Sequence, residues 1–181
     1  GYWAHLQEKY PDLAATVTPL NGGGSSTYTV YGPDSVLSDI SLGSALLKPS
    51  TYDLLTLTEH KPAVFIATPV LKKLHPAKLP FLGTLSDSPD IDGYYIYGGG
   101  WAQQVQYPEG LEMHALMVAP PNQTLVSNQA FLYGTAVPRV EPGDFVFFRP
   151  GEADNIFLFD EIHLVRGKKL VGTFKPFPQR Y

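Results

Sequence analysis

Proline and glycine interrupt this chain so often that long helices cannot form over most of it. The chain has 17 residues of each type among 181, and both types break helices. The interruptions separate short apolar runs, such as residues 63–71, 94–97 and 145–148. The eleven Tyr and ten Phe residues also favour strands. Together these features predict a mainly β protein with an antiparallel β-barrel or β-sandwich.

The first residues follow another pattern. Residues 2–16 have helical spacing that is interrupted by one proline. A short strand at 16–20 is expected to lead into the glycine-rich run 21–26. Helix, strand and glycine-rich loop in this order are typical of the last unit of an α/β barrel. We therefore predict that residues 1–32 end a TIM-type α/β barrel and that residues 33–181 form a C-terminal β domain.

Within the predicted β domain, turn signals separate the apolar runs. Glu141-Pro142-Gly143-Asp144 is a turn before one strand, and Arg166-Gly167-Lys168-Lys169 fits the loop of a hairpin. Further strands are expected at residues 36–47, 113–118, 124–126, 130–133, 156–159 and 162–165.

Charge and composition exclude several classes of protein. The net charge is −4, whereas nucleic-acid binding needs a concentrated basic face, so we expect no nucleic-acid partner. Cysteine is absent, which excludes disulfides and thiolate metal sites. No apolar run approaches the roughly 18 residues that span a bilayer, and the first ten residues do not resemble a signal peptide. We expect a cytoplasmic protein without a membrane partner.

The glycine-rich run is a candidate phosphate site. A phosphate needs several backbone N–H groups that point to one place, and glycine lets the backbone approach closely. Two serines add hydroxyl donors. In α/β barrels such loops follow late strands and hold a cofactor phosphate. The run is therefore either a flexible loop or an anion-binding loop formed by Gly22, Gly23, Gly24, Ser25 and Ser26.

Two carboxylates form a candidate metal site. Glu152 and Asp154 lie two residues apart, so in an extended segment they face the same side. Such a pair can bind a hard cation such as Mg²⁺, Mn²⁺ or Ca²⁺. It can equally pair with Arg149 or a ligand amine, or lie on a solvated loop.

Aromatic residues flank a triple glycine near the middle of the chain. Tyr97 and Trp101 stand on either side of Gly98-Gly99-Gly100, where a close approach of the backbone is expected. Either ring can stack on a planar ligand, although most strand aromatics belong to the core.

The histidines show no spacing typical of a metal site. We interpret His114 and His163, which lie in predicted strands, as structural residues. The sequence also lacks a G-x-S-x-G elbow, a Walker A loop and a dinucleotide-binding fingerprint.

Taken in order, these segments resemble the C-terminal half of fold-type III pyridoxal-phosphate enzymes. This superfamily includes alanine racemase, D-threonine aldolase and the D-serine dehydratase-like proteins. Residues 18–26 resemble the strand and loop that hold the cofactor phosphate, and residues 91–101 resemble a later strand. Residues 141–144 and 149–154 resemble the turn and metal-binding loop, and residues 158–167 the closing hairpin.

The resemblance implies pyridoxal 5′-phosphate as cofactor, an amino acid as substrate and a homodimer. The whole enzyme would be a racemase or a D-amino-acid lyase or dehydratase. Residues 22–26 and Tyr97 would bind the cofactor, and the β domain would close the active site. The alternative is a non-catalytic β domain that binds a small ligand or a partner protein.

The chain departs from the family pattern in two ways. Metal-dependent members carry His, and Cys or Asp two residues later, where this chain has Glu152 and Asp154. Loss of the nitrogen ligand favours a harder cation than Zn²⁺, or no metal. The family's Schiff-base lysine lies on the first barrel strand, and no lysine here has that context; the least unfavourable is Lys48, before Pro49. An upstream barrel domain or a second chain is therefore expected to complete the enzyme.

Overall fold

The computed structural model describes residues 1–79, 83–84, 91–98, 103–113 and 129–177. Backbone contacts divide the chain into two compact units, Gly1–Ala63 and Val64–Tyr181. Whether residues 1–32 derive from an α/β barrel stays a prediction. No helix among the described residues is long and apolar enough to cross a membrane.

The first unit begins with two short helices, α1 (Tyr2–Lys9) and α2 (Pro11–Thr16). Pro11 separates them because proline cannot continue a helix but suits its first turn. The predicted helical segment with a break at its proline is therefore confirmed.

The rest of the first unit has little regular structure. The strands β1 (Asn21–Gly22) and β2 (Asp39–Ile40) pair in parallel over two residues each. The strand expected at 36–47 is wrong, because only β2 is extended and α3 (Ser44–Leu47) is helical. Ala and Leu are strong helix formers, and they outweigh the apolar pattern there. Single-turn 3₁₀ helices cover Tyr28–Val30, Ser50–Tyr52 and Leu55–Leu57.

The second unit is built on a six-stranded antiparallel sheet, which confirms the prediction of a mainly β, barrel-like domain. The spatial order of the strands is β7–β10–β3–β6–β9–β8. The two outer strands are consecutive in the chain and are separated by the single residue Pro108, so the sheet is nearly closed. These six strands are β3 (Ile66–Leu74), β6 (Asp92–Tyr97), β7 (Gln103–Tyr107), β8 (Glu109–Met113), β9 (Gln129–Val137) and β10 (Phe145–Pro150). The short strands β4 (Lys78–Leu79) and β5 (Gly83–Thr84) pair separately with each other.

The core of the barrel follows from strand alternation. On β10, Val146 and Phe148 are fully buried, whereas Phe145 and Phe147 are exposed, because successive side chains point to opposite faces. The inward set packs into one cluster, which comprises Val70, Tyr94, Ile96, Leu111, Ala130, Leu132, Ala136, Val140, Val146 and Phe148.

A close approach between β8 and β9 requires glycine on both strands. Gly134 has φ +140° and Gly110 has φ +80°. A Cβ at Gly134 would lie 2.0 Å from the carbonyl oxygen of Gly110, a distance that no side chain can occupy. The register shifts beside Gly110, so the pair forms a bulge that bends the sheet.

The C-terminal part of the described chain is a 3₁₀ helix followed by a hairpin. The strand expected at 156–159 is wrong, because Ala153–Leu158 is a 3₁₀ helix. The first turn of this 3₁₀ helix contains Asp154 and Asn155, residue types that favour turns over strands. No strand in the described part of the chain pairs with the segment. The predicted hairpin is confirmed by β11 (Ile162–Arg166) and β12 (Lys169–Phe174).

The remaining predicted strands differ in their outcome. The strand at 130–133 is confirmed within β9. The predicted strands at 113–118 and 124–126 fall outside the described residues, apart from Met113 at the end of β8.

Candidate functional site

The glycine-rich run lies in the first unit, and its first two residues, Asn21 and Gly22, form β1. The strand expected at 16–20 is wrong, because α2 extends to Thr16 and residues 17–20 belong to no strand. Gly23 has φ +76°, and a Cβ there would lie 3.1 Å from the Tyr31 ring and 3.3 Å from Ile40 Cγ2. Only glycine adopts this left-handed conformation without strain. By contrast, a Cβ at Gly24 would meet nothing within 4 Å. The backbone at Gly24 therefore borders open space.

The acceptor groups of this loop are occupied by the protein. The Gly24 carbonyl accepts the N–H groups of Thr27 and Tyr28, at 3.0 and 2.9 Å. Ser25 Oγ accepts the N–H of Gly43 at 3.1 Å, and the Ser26 carbonyl accepts the Thr56 hydroxyl at 2.6 Å. These bonds fix the loop from both sides.

The donor groups of the loop have no such partners. Within the described chain, the N–H groups of Gly24, Ser25 and Ser26 donate to no protein acceptor. The Ser25 hydroxyl uses its oxygen as an acceptor, so its proton can be donated elsewhere. An anion site needs successive N–H groups that are free to donate, and this loop provides three of them.

An apolar groove of about 440 Å³ adjoins the loop. A Cβ at Gly22 would lie 2.8 Å from the side chain of Leu37, and Leu37 also lines the groove. The loop and the groove are therefore neighbours within the first unit. The groove is lined by Tyr2, Trp3, His5, Leu6, Tyr10, Leu20, Val36 and Leu37.

Buried polar groups fix the neighbouring segment that bonds to the loop. Lys48 is buried with φ +46°, and its Nζ donates to the carbonyls of Leu57 and His60, at 2.9 and 2.8 Å. The Tyr28 hydroxyl lies 2.5 Å from His60 Nε2. These contacts fix the segment that contains Thr56, whose hydroxyl holds the loop.

Tyr97 lies in the second unit, at the end of β6, with 61% of its surface exposed. Its carbonyl accepts the hydroxyl of Thr68 on the neighbouring strand β3. The adjacent Gly99, Gly100 and Trp101 fall outside the described residues, as does His114. A ligand contact by the Tyr97 ring stays a prediction.

Glu152 and Asp154 lie where β10 ends. Glu152 is extended, and Asp154 lies in the first turn of the following 3₁₀ helix, so the segment is not extended throughout. Both residues are exposed. Among the described residues, no group of three or more His, Cys, Asp or Glu side chains is close enough to bind a metal. The metal site stays a prediction.

The structure also reveals a polar cluster that the sequence did not indicate. His75 Nδ1 lies 2.7 Å from one oxygen of Asp92, and the Tyr94 hydroxyl donates to the other at 3.0 Å. Lys73 Nζ lies 3.4 Å from Asp92 and 2.6 Å from Glu141. Asp92 is only 15% exposed, while His75 is largely exposed. The cluster therefore presents one imidazole to solvent in an orientation that a carboxylate fixes.

Electrostatics keep Asp92 and Lys73 charged and Tyr94 neutral. Burial works against the Asp92 carboxylate, but the hydrogen bonds from His75 and Tyr94 and the charge of Lys73 hold the pKa of Asp92 below its ordinary value. The hydrogen bond to Glu141 and the charge of Asp92 raise the pKa of Lys73. Burial raises the pKa of Tyr94 strongly. An oriented imidazole of this kind can transfer protons.

Strand pairing, rather than sequence spacing, assembles the cluster. Lys73 lies opposite Tyr94 in the register of β3 and β6, which brings together residues 21 positions apart. No sequence motif marks this combination of residues, so it could be found from the sequence only if the register of the two strands were already known.

Comparisons of this chain with protein-family models, curated proteins and solved structures find no match.

Proposed function

We propose that this chain is the C-terminal part of a pyridoxal-phosphate-dependent amino-acid racemase or D-amino-acid lyase or dehydratase. In this proposal Gly22, Gly23, Gly24, Ser25 and Ser26 hold the cofactor phosphate. The observation that carries it is the set of three N–H groups without protein acceptors, which lies beside an aromatic groove. The motif resemblance described above supports the same assignment.

The residues present fit a phosphorylated aromatic ligand. A phosphate monoester offers acceptor oxygens, and the N–H groups of Gly24, Ser25 and Ser26 and the Ser25 hydroxyl are donors. Gly24 leaves space for close approach, because a Cβ there would meet no atom within 4 Å. Tyr2, Trp3 and Tyr10 line the neighbouring groove and suit a planar ring.

The cofactor and the residues of this chain would have different roles in the reaction. The cofactor, when bound, acts as an electron sink for a carbanion at the substrate Cα. The loop contributes binding and orientation, and the groove offers aromatic surface to the ring. Lys48 Nζ already donates to two carbonyls in a buried position, so it suits a structural role. A lysine that binds the cofactor aldehyde would come from an upstream barrel domain or a second chain.

Binding of pyridoxine 5′-phosphate to the 181-residue chain tests the proposal. This ligand keeps the ring and the phosphate but has no aldehyde, so it cannot react with surface lysines. We expect saturable binding by calorimetry, and at least about tenfold weaker binding of pyridoxine, which lacks the phosphate and its charge-assisted hydrogen bonds.

Two glycine variants localise the site. Gly24→Val fills the open space at the loop, whereas Gly32→Val adds the same side chain at another position where a Cβ meets nothing within 4 Å. We expect weaker binding for Gly24→Val alone, with unchanged circular dichroism for both variants. Equal affinity of both variants, or equal binding of pyridoxine and its phosphate, would contradict the assignment and favour a non-catalytic β domain.

A further inference from the structure

The hairpin β11–β12 has an outer edge and exposed apolar side chains. Among the described residues its two strands pair only with each other. Val165 and Leu170 are 65% and 62% exposed, and Leu164, Val171 and Phe174 are also exposed. A two-stranded hairpin is marginally stable in water, and its edges carry backbone groups that can pair with another strand. These features suit an interface formed by strand addition.

The charges along β11 determine which partner and direction fit. Asp160 and Glu161 precede the strand, whereas Arg166 ends it and Lys168 follows. Antiparallel pairing of two β11 strands brings the acidic end of each beside the basic end of the other. Parallel pairing would place like charges together, which is unfavourable.

The other edge of the hairpin lacks this complementarity. Lys169 begins β12 and Lys175 directly follows it. Two β12 strands would bring lysines together at both ends if they paired antiparallel, and also if they paired parallel. The β11 edge is therefore the self-complementary one.

We propose that two copies of this chain associate through antiparallel pairing of their β11 strands, which joins the two hairpins into one four-stranded sheet. A two-fold axis makes the interface isologous. Because side chains alternate between faces, opposite residues must have the same parity. Centring on His163 places Asp160 opposite Arg166 of the second copy, whereas Lys168 lies in the hairpin turn, beyond the end of β11.

Single cysteines test this pairing directly, because the chain contains no cysteine. A residue on the two-fold axis faces its own copy at a Cα separation of about 4.5–5.5 Å, which a disulfide spans. We expect His163→Cys to form a covalent dimer under mild oxidation. Thr173→Cys is the matched control, because Thr173 is exposed and lies opposite His163 on β12.

Charge exchange gives an independent test by sedimentation equilibrium at low salt. If His163→Cys forms the dimer, Arg166→Asp should weaken association by about tenfold or more. The double variant Asp160→Arg with Arg166→Asp should restore it. Lys175→Asp makes the same charge change on the other edge and should have no effect.

Three results would overturn the proposal. The first is a chain that stays monomeric at about 100 µM. The second is Thr173→Cys forming the dimer as readily as His163→Cys. The third is a double charge variant that circular dichroism shows to be folded but that fails to restore association.

Discussion

Replacing Asp92 by Asn tests whether the polar cluster stabilises the barrel. The carboxylate interacts with His75 and Tyr94 and lies 3.4 Å from Lys73. Hydrogen bonds to charged groups contribute about 1.5–3 kcal/mol each when buried, and exposed ion pairs contribute about 0–1 kcal/mol. Asn retains part of the hydrogen bonding. We therefore expect Asp92→Asn to lower the free energy of unfolding by about 1–3 kcal/mol at pH 7.

The effect should depend on pH in a defined direction. The pKa of Asp92 is lower in the folded protein than its ordinary value of 3.8. Such a carboxylate stabilises the fold fully above its unfolded pKa and loses that contribution as pH falls through the folded pKa. Asn does not titrate. The stability difference between wild type and Asp92→Asn should shrink as the pH falls below about pH 4.

Urea unfolding followed by circular dichroism, repeated from pH 7 to pH 3, measures both quantities. Glu109→Gln is the control, since it removes one exposed carboxylate from the same barrel and should change stability by less than about 0.5 kcal/mol. The reasoning fails if Asp92→Asn has no more effect than this control at pH 7. It fails equally if the stability difference is as large at pH 3 as at pH 7.

Three further predictions concern the fold and the loop that carries Glu152 and Asp154. Gly134→Ala should destabilise the barrel by at least about 2 kcal/mol in chemical denaturation, because its Cβ would lie 2.0 Å from a carbonyl oxygen of β8. The control Gly143→Ala, at φ +98° with no atom near its Cβ, should lower the free energy of unfolding by less. Phe148→Ala should lower the free energy of unfolding by about 3–5 kcal/mol, since the ring is fully buried, and a loss below about 1 kcal/mol would contradict the core assignment. Glu152→Ala combined with Asp154→Asn should change stability by less than about 0.5 kcal/mol, because both side chains are exposed, while turnover of the complete enzyme should fall if the pair faces the substrate.

Strands that pack against a core were predictable from the sequence. The run at 145–148 lies within β10 and the run at 94–97 lies within β6. These segments combine β-favouring residues with a buried face, so local preference and packing agree. By contrast, residues 156–159 look equally apolar but form part of a 3₁₀ helix, because no strand among the described residues pairs with them.

The candidate site was predictable only where it is local. The glycine-rich loop is continuous in sequence, so the loop itself could be inferred, whereas the strand expected before it at 16–20 is wrong and β1 begins only at Asn21. The cluster around Asp92 depends on the pairing of β3 with β6. That register is a tertiary property, and a one-residue slip would move every side chain to the opposite face.

Labelling of the lysines tests which amine reacts with the aldehyde of pyridoxal 5′-phosphate, and Lys48 is the informative position. Its Nζ is buried and donates to the carbonyls of Leu57 and His60, so reaction would leave both acceptors without their donor. We expect pyridoxal 5′-phosphate and borohydride to label exposed lysines and not Lys48, as mass spectrometry of peptides would show. Lys48→Met should destabilise the first unit, since the same two carbonyls lose their partner. Selective labelling of Lys48 would instead show that its amine reaches the cofactor and that no upstream lysine is required.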